Sequence, residues 1–144
     1  MSKGQDRADK MVDALRTWQG IERKAMEQTA QIMEKTDNSY LRIIMEIIRH
    51  DSLMHHRVQQ TLIDSLTREN ITLSVEDISE VWEAIEEHDQ TEKDVVKIAK
   101  ELRDQAWTPI HKELLDYLVT DEEKHDKILM QLEAIKKGIS RTTS

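Results

Sequence analysis

Four stretches of the chain carry apolar residues at alternating steps of three and four, the spacing that lines one face of an α-helix. The first covers about residues 7–35 through Met11, Leu15, Trp18, Ala25 and Ile32. The second covers about 40–67 through Ile44, Ile48, Val58 and Leu62. The third covers about 74–104 through Val81, Ile85, Val95, Ala99 and Leu102, and the fourth about 108–137 through Leu114, Leu118, Ile128, Leu132 and Ile135. Boundary residues agree with this division. Thr36-Asp37-Asn38-Ser39 is a run of turn and cap formers, and Ser74 can cap the third helix through a capping box. Thr108 followed by Pro109 reads as a helix start, and Gly138 as a stop. The pattern predicts an all-α fold: an antiparallel four-helix bundle over 1–144, built from hairpins 7–67 and 74–137.

The stripes are interrupted at matching places. Glu22 breaks the first, Asp51 and His55 the second, His88 and Glu92 the third, and Asp121 and His125 the fourth. An offset of 70 residues lays Glu22 on Glu92, Asp51 on Asp121 and His55 on His125 without a gap, and Leu62 on Leu132. The two hairpins therefore read as an internal repeat that includes its polar core positions. Antiparallel helices of similar length bring their midpoints to one height, so the interruptions are expected to share a layer. Burying bare carboxylates there costs several kcal/mol each, on the order of the effective desolvation penalty per ion. A coordinated cation is the simplest compensation, and a mixed imidazole and carboxylate set suits iron, manganese or zinc better than calcium or magnesium.

Composition narrows the chemistry. The chain has no cysteine, so thiolate sites, iron–sulfur clusters and disulfides are excluded. Charged residues make up 35%, with a formal net charge of −8 and no dense basic run, which argues against nucleic acid as a partner. No apolar run reaches the length of a membrane span, and a cytoplasmic location is expected.

The layout resembles the ferritin-like di-iron bundles, the family of rubrerythrin and bacterioferritin. Those bundles place a Glu on each of two helices and a Glu-x-x-His on each of the other two. Glu122-x-x-His125 matches that motif, whereas in the second helix Ser52 stands three residues before His55 where the family has Glu. Glu22 and Glu92 correspond to the single glutamates. The resemblance implies two metal ions, iron in the first place with manganese or zinc as alternatives, held by Glu22, His55, Glu92, Glu122 and His125. His88 is an extra ligand or proton donor. Asp51 and Asp121 fit better as partners that orient the imidazoles than as direct ligands, though both stay candidates. The implied activity is ferroxidase- or peroxidase-like, with oxygen or peroxide as oxidant, an external electron donor and self-association into a homodimer. Metal binding without turnover, and a metal-free bundle whose polar layer fixes helix register, are the alternatives. The connection between the hairpins is also open. A third helix starting at Ser74 suits up-down-up-down order, and one starting near Val81 leaves chain for a crossover.

Overall fold

A computed structural model describes the backbone of residues 2–143 and the side chains of residues 2–139. The described residues form five helices and no strand: α1 (Lys3–Glu34), α2 (Ser39–Thr67), α3 (Val75–Ser79), α4 (Trp82–Gln105) and α5 (Pro109–Thr143). The chain divides into two compact units, Met1–Ile71 and Thr72–Ser144. Each is a helical hairpin: α1 packs on α2 in the first, and α4 packs on α5 in the second.

The first hairpin turns where the cap residues stand. Asn38 Oδ1 accepts the Leu41 N–H at 3.0 Å, which satisfies one free donor of the first turn of α2. α1 has no basic residue in its last turn. The Arg42 guanidinium reaches back from α2 instead and donates to the carbonyls of Met33 and Thr36. Val12, Leu15 and Ile63 form the buried apolar cluster of this unit. Polar side chains share the seam: Gln19, Glu22, Thr29, Ser52 and Gln59 are all buried. The Gln19 amide donates to the His56 carbonyl at 3.3 Å and to Gln60 Oε1 at 3.0 Å, and Thr29 returns its hydroxyl to the Ala25 carbonyl.

The second hairpin has a helix start at each of the two places the sequence left open. Ser74 and Asp77 do form a reciprocal capping box, with Ser74 Oγ accepting the Asp77 N–H at 3.0 Å. The helix it starts is the five-residue α3, however, and the long helix begins only at Trp82. α3 packs against α4 and α5 and buries Ile78 to 2% exposure. At the turn between α4 and α5, Thr108 Oγ1 accepts the His111 N–H at 3.1 Å and Pro109 takes the first helical position. Arg103 of α4 pairs with Asp116 of α5 at 3.1 Å. Gly138 does not end α5, which runs on to Thr143.

The apolar stripes are only partly spent within the hairpins. Met11, Trp18, Ile48, Val58 and Leu62 are exposed in the first, as are Val81, Val95, Leu102, Leu118 and Ile128 in the second. The seam takes only part of each stripe, Leu15 and Glu22 in the first hairpin and Glu92 and Ala99 in the second, together with residues beside it such as Val12, Gln19 and Ile63.

Ile78 is the side chain that ties α3 to the second hairpin. Ile78→Ala is expected to cost about 2–5 kcal/mol, the usual range for emptying a buried aliphatic site. Urea denaturation of the full chain, followed by circular dichroism, measures it.

Candidate metal centre

The second hairpin gathers its chemistry around one buried carboxylate. Glu92, at mid-length of α4, has a side chain only 10% exposed. One of its oxygens is served twice. Oε1 accepts from His88 Nε2 at 2.9 Å, one helical turn earlier, and from His125 Nδ1 at 3.0 Å, across the seam on α5. The other oxygen, Oε2, is buried with no hydrogen-bond partner. A buried acceptor left bare costs on the order of 1–3 kcal/mol, more when it is charged.

Two further groups of α5 complete the cluster. Glu122 Oε2 lies 3.8 Å from His125 Nδ1, its partner at i+3. Asp121 Oδ2 lies 3.5 Å from His125 Nε2, its partner at i+4. Residues three and four apart share a helix face, which is why one histidine can touch both acids. Glu92, Glu122 and His125 each offer a ligand atom, and these atoms all lie within 4.8 Å of one another. The set fits a divalent transition metal on three grounds: nitrogen and oxygen donors, two carboxylates to balance charge, and a buried oxygen otherwise without a partner. The contact with Glu92 Oε1 requires a proton on His125 Nδ1; for a cation to bind, that proton would have to leave, and Asp121 beside Nε2 would then hold the Nε2–H tautomer that frees the Nδ1 lone pair. A cavity of about 300 Å³ lined by His88, Glu92, His125, Ile128 and Leu129 opens on one side of Glu92.

The first hairpin repeats part of this. Glu22 is buried like Glu92, and its Oε1 lies 3.4 Å from His55 Nδ1. The same oxygen accepts the Trp18 indole N–H at 3.1 Å. Ser52 is buried where the second hairpin has Glu122. A smaller cavity of about 190 Å³ is lined by Trp18, His55, Val58, Gln59 and Leu62. Asp51 is exposed and, among the described residues, makes no contact with His55 of the kind that joins Asp121 to His125.

Of the eight residues singled out in the sequence, Glu92, His88, His125, Glu122 and Asp121 come together within the second hairpin. Glu22 and His55 meet within the first. His50 is exposed and near Glu46, while His56 lies 3.1 Å from the Arg23 guanidinium.

A pair of acids beside the cluster has no counterpart in the sequence reading. Asp89 and Asp126 face each other across the second seam. The adjoining carboxyl of Asp89, able to share a proton with it, is the largest influence on Asp126 and raises its carboxyl above the ordinary aspartate value, and Oδ1 of each aspartate is buried without another partner. Desolvation and the Asp89 charge push the same way, and Lys93 opposes them. Lys93 also pairs with Asp89 at 3.4 Å. Asp89 falls one turn before Glu92 and Asp126 directly after His125, and that adjacency to the interrupted stripes is the only sequence signal for them.

No family model, curated protein or solved structure matches this chain.

A carboxyl with a raised folded value stabilises the fold fully at low pH and loses that contribution as pH rises through the folded value. Asp126→Asn removes the titration. The variant is expected to match the wild type at the acid end and to exceed it in stability once pH has passed that value. Urea melts across an acid-to-neutral pH series test this.

Proposed function

We propose that this protein is a non-haem, ferritin-like metal-binding protein, with iron as its first metal and oxygen or peroxide as oxidant. The observation that carries the reading is Glu92. It is a buried carboxylate with one bare oxygen, beside a second carboxylate and an imidazole nitrogen at coordination spacing. A cation is the partner that answers all of these features at once.

In this reading the two hairpins close into one antiparallel four-helix bundle. The exposed apolar residues of each hairpin supply the faces, and covering a side chain such as Leu62 or Ile128 contributes about 1.5–3 kcal/mol when burial is complete. Glu22 and His55 of the first hairpin then provide for a second ion. Bound iron supplies one-electron chemistry toward oxygen or peroxide. The chain's own residues do the rest. Glu92 and Glu122 neutralise the cation, His125 donates through Nδ1, and Asp121 holds the Nε2 proton. His88 is placed to accept or deliver a proton at Glu92 Oε1. With no thiol in the chain, electrons for turnover come from another protein. No described helix is long and apolar enough to cross a membrane, in keeping with a cytoplasmic setting.

One observation favours a second reading. Two imidazoles already serve Glu92 Oε1, so part of the buried charge is compensated without a metal. In that case the polar layer only fixes helix register.

Loading with Fe(II) under anaerobic conditions, followed by desalting and metal analysis, separates the two. The metal reading expects retained iron, reduced about tenfold or more by Glu122→Gln and by His125→Ala, in line with the usual cost of disturbing a metal site. Oxygen addition then gives an optical change and oxygen uptake. A wild-type protein that retains no iron, manganese or zinc contradicts it.

A further inference from the structure

The two hairpins repeat the same contact with the same atoms. Nδ1 of His55 faces Oε1 of Glu22 at 3.4 Å, and Nδ1 of His125 faces Oε1 of Glu92 at 3.0 Å. The repeat of 70 residues that relates these pairs also sets Trp18 against His88 and Ser52 against Glu122. At those two positions the chemistry diverges. His88 Nε2 sits 2.9 Å from the glutamate, and an imidazole nitrogen can give its lone pair to a cation. Trp18 occupies the equivalent place with an indole N–H, a donor with no lone pair to offer, and it holds Glu22 Oε1 at 3.1 Å. Glu122 adds a carboxylate to the second hairpin, and buried Ser52 adds only a neutral hydroxyl to the first.

We infer that the second hairpin holds one divalent transition-metal ion tightly on its own side chains, Glu92, Glu122 and His125, with His88 hydrogen-bonded to Glu92 beside them, and that Trp18 and Ser52 keep the first hairpin from holding an equivalent ion. The inference rests on the metal reading above and assigns its stoichiometry. Two carboxylates balance the charge of a divalent ion, and His125 brings to three the protein donors that lie within 4.8 Å of one another, the number that leaves one position of a tetrahedral shell open. Glu92 Oε2 is a buried carboxylate oxygen without a partner, whereas the bare buried oxygen of the first hairpin is the neutral amide Oε1 of Gln59. The first hairpin offers one carboxylate and one imidazole, and the carboxylate is already engaged by the indole. An ion there is bound weakly and exchanges, so the protein carries one resident ion and one exchangeable position. The asymmetry is a matter of two side chains on an otherwise repeated frame, which makes it reversible by substitution.

Co(II) added to the metal-free full-length protein, with the retained ion counted after desalting and its visible spectrum recorded, tests the assignment. The wild type is expected to retain one Co(II) per chain. Glu22→Gln and His55→Ala leave that ion in place, and Glu122→Gln lowers its retention at least about tenfold and changes its spectrum. The double substitution Trp18→His with Ser52→Glu raises retention to two, and circular dichroism checks that it keeps its helices. Loss of the retained ion in Glu22→Gln or His55→Ala leaves the metal reading standing but overturns the assignment to one hairpin. A folded Trp18→His, Ser52→Glu protein that still retains only one ion overturns the role given to those residues. A wild type that retains no Co(II), Fe(II), Mn(II) or Zn(II) fails the metal reading itself.

Discussion

A carboxylate placed in the seam between two helices has to be compensated from within the protein, and Glu92 organises the second hairpin around that need. His88 reaches it from one turn earlier on the same helix and His125 from across the seam, both on the same oxygen. These contacts orient His125, and the orientation brings Glu122 and Asp121 to opposite ring nitrogens. The bare second oxygen is what remains unsettled by protein groups alone. Replacing such a buried charge by a well-packed apolar residue is often neutral or stabilising. Here the charge is kept, with further ligand atoms around it, at a place where stability alone does not call for it.

The seams carry this polar burden because the hairpins bury little aliphatic surface internally. In the first, Val12, Leu15 and Ile63 are the apolar cluster, and the other buried seam residues include two glutamines, a threonine and a serine. Gln19 settles its amide on the His56 carbonyl and on Gln60, a neutral solution at the place where the second hairpin has two aspartates face to face. The repeated frame therefore tolerates either chemistry, and the acidic choice in the second hairpin concentrates negative charge next to the cluster. A field of that sign attracts cations.

Much of this was legible in the chain. The stripes locate the long helices, and Asn38 and Thr108 cap helices as their residue types suggest. The 70-residue repeat anticipates that the glutamate and histidine of each hairpin meet. The phase of the seam was legible only in part: Leu15, Glu22, Glu92 and Ala99 of the stripes are buried, and other stripe residues are exposed. An apolar stripe marks a face that favours burial without saying which neighbour covers it, and polar seam residues such as Gln19, Gln59 and Asp89 look like solvated positions in a sequence. The start of α4 was left open between Ser74 and Val81, and the later one holds. The capping box at Ser74 is a true helix start, but the break at Glu80–Val81 contains neither glycine nor proline, and Val81 provides no side-chain cap.

The most direct test of the central claim is a crystal structure of the full chain grown with Fe(II) or Co(II), with anomalous data collected at the metal edge. The account predicts an anomalous peak bounded by Glu92, Glu122 and His125, about 2.0–2.2 Å from carboxylate oxygen and from Nδ1, as for first-row ions with such ligands. Glu92 Oε2 is then within reach of the cation rather than bare. A well-ordered structure from metal-saturated crystals with no peak at that position, and with His125 Nδ1 still donating to Glu92, contradicts it.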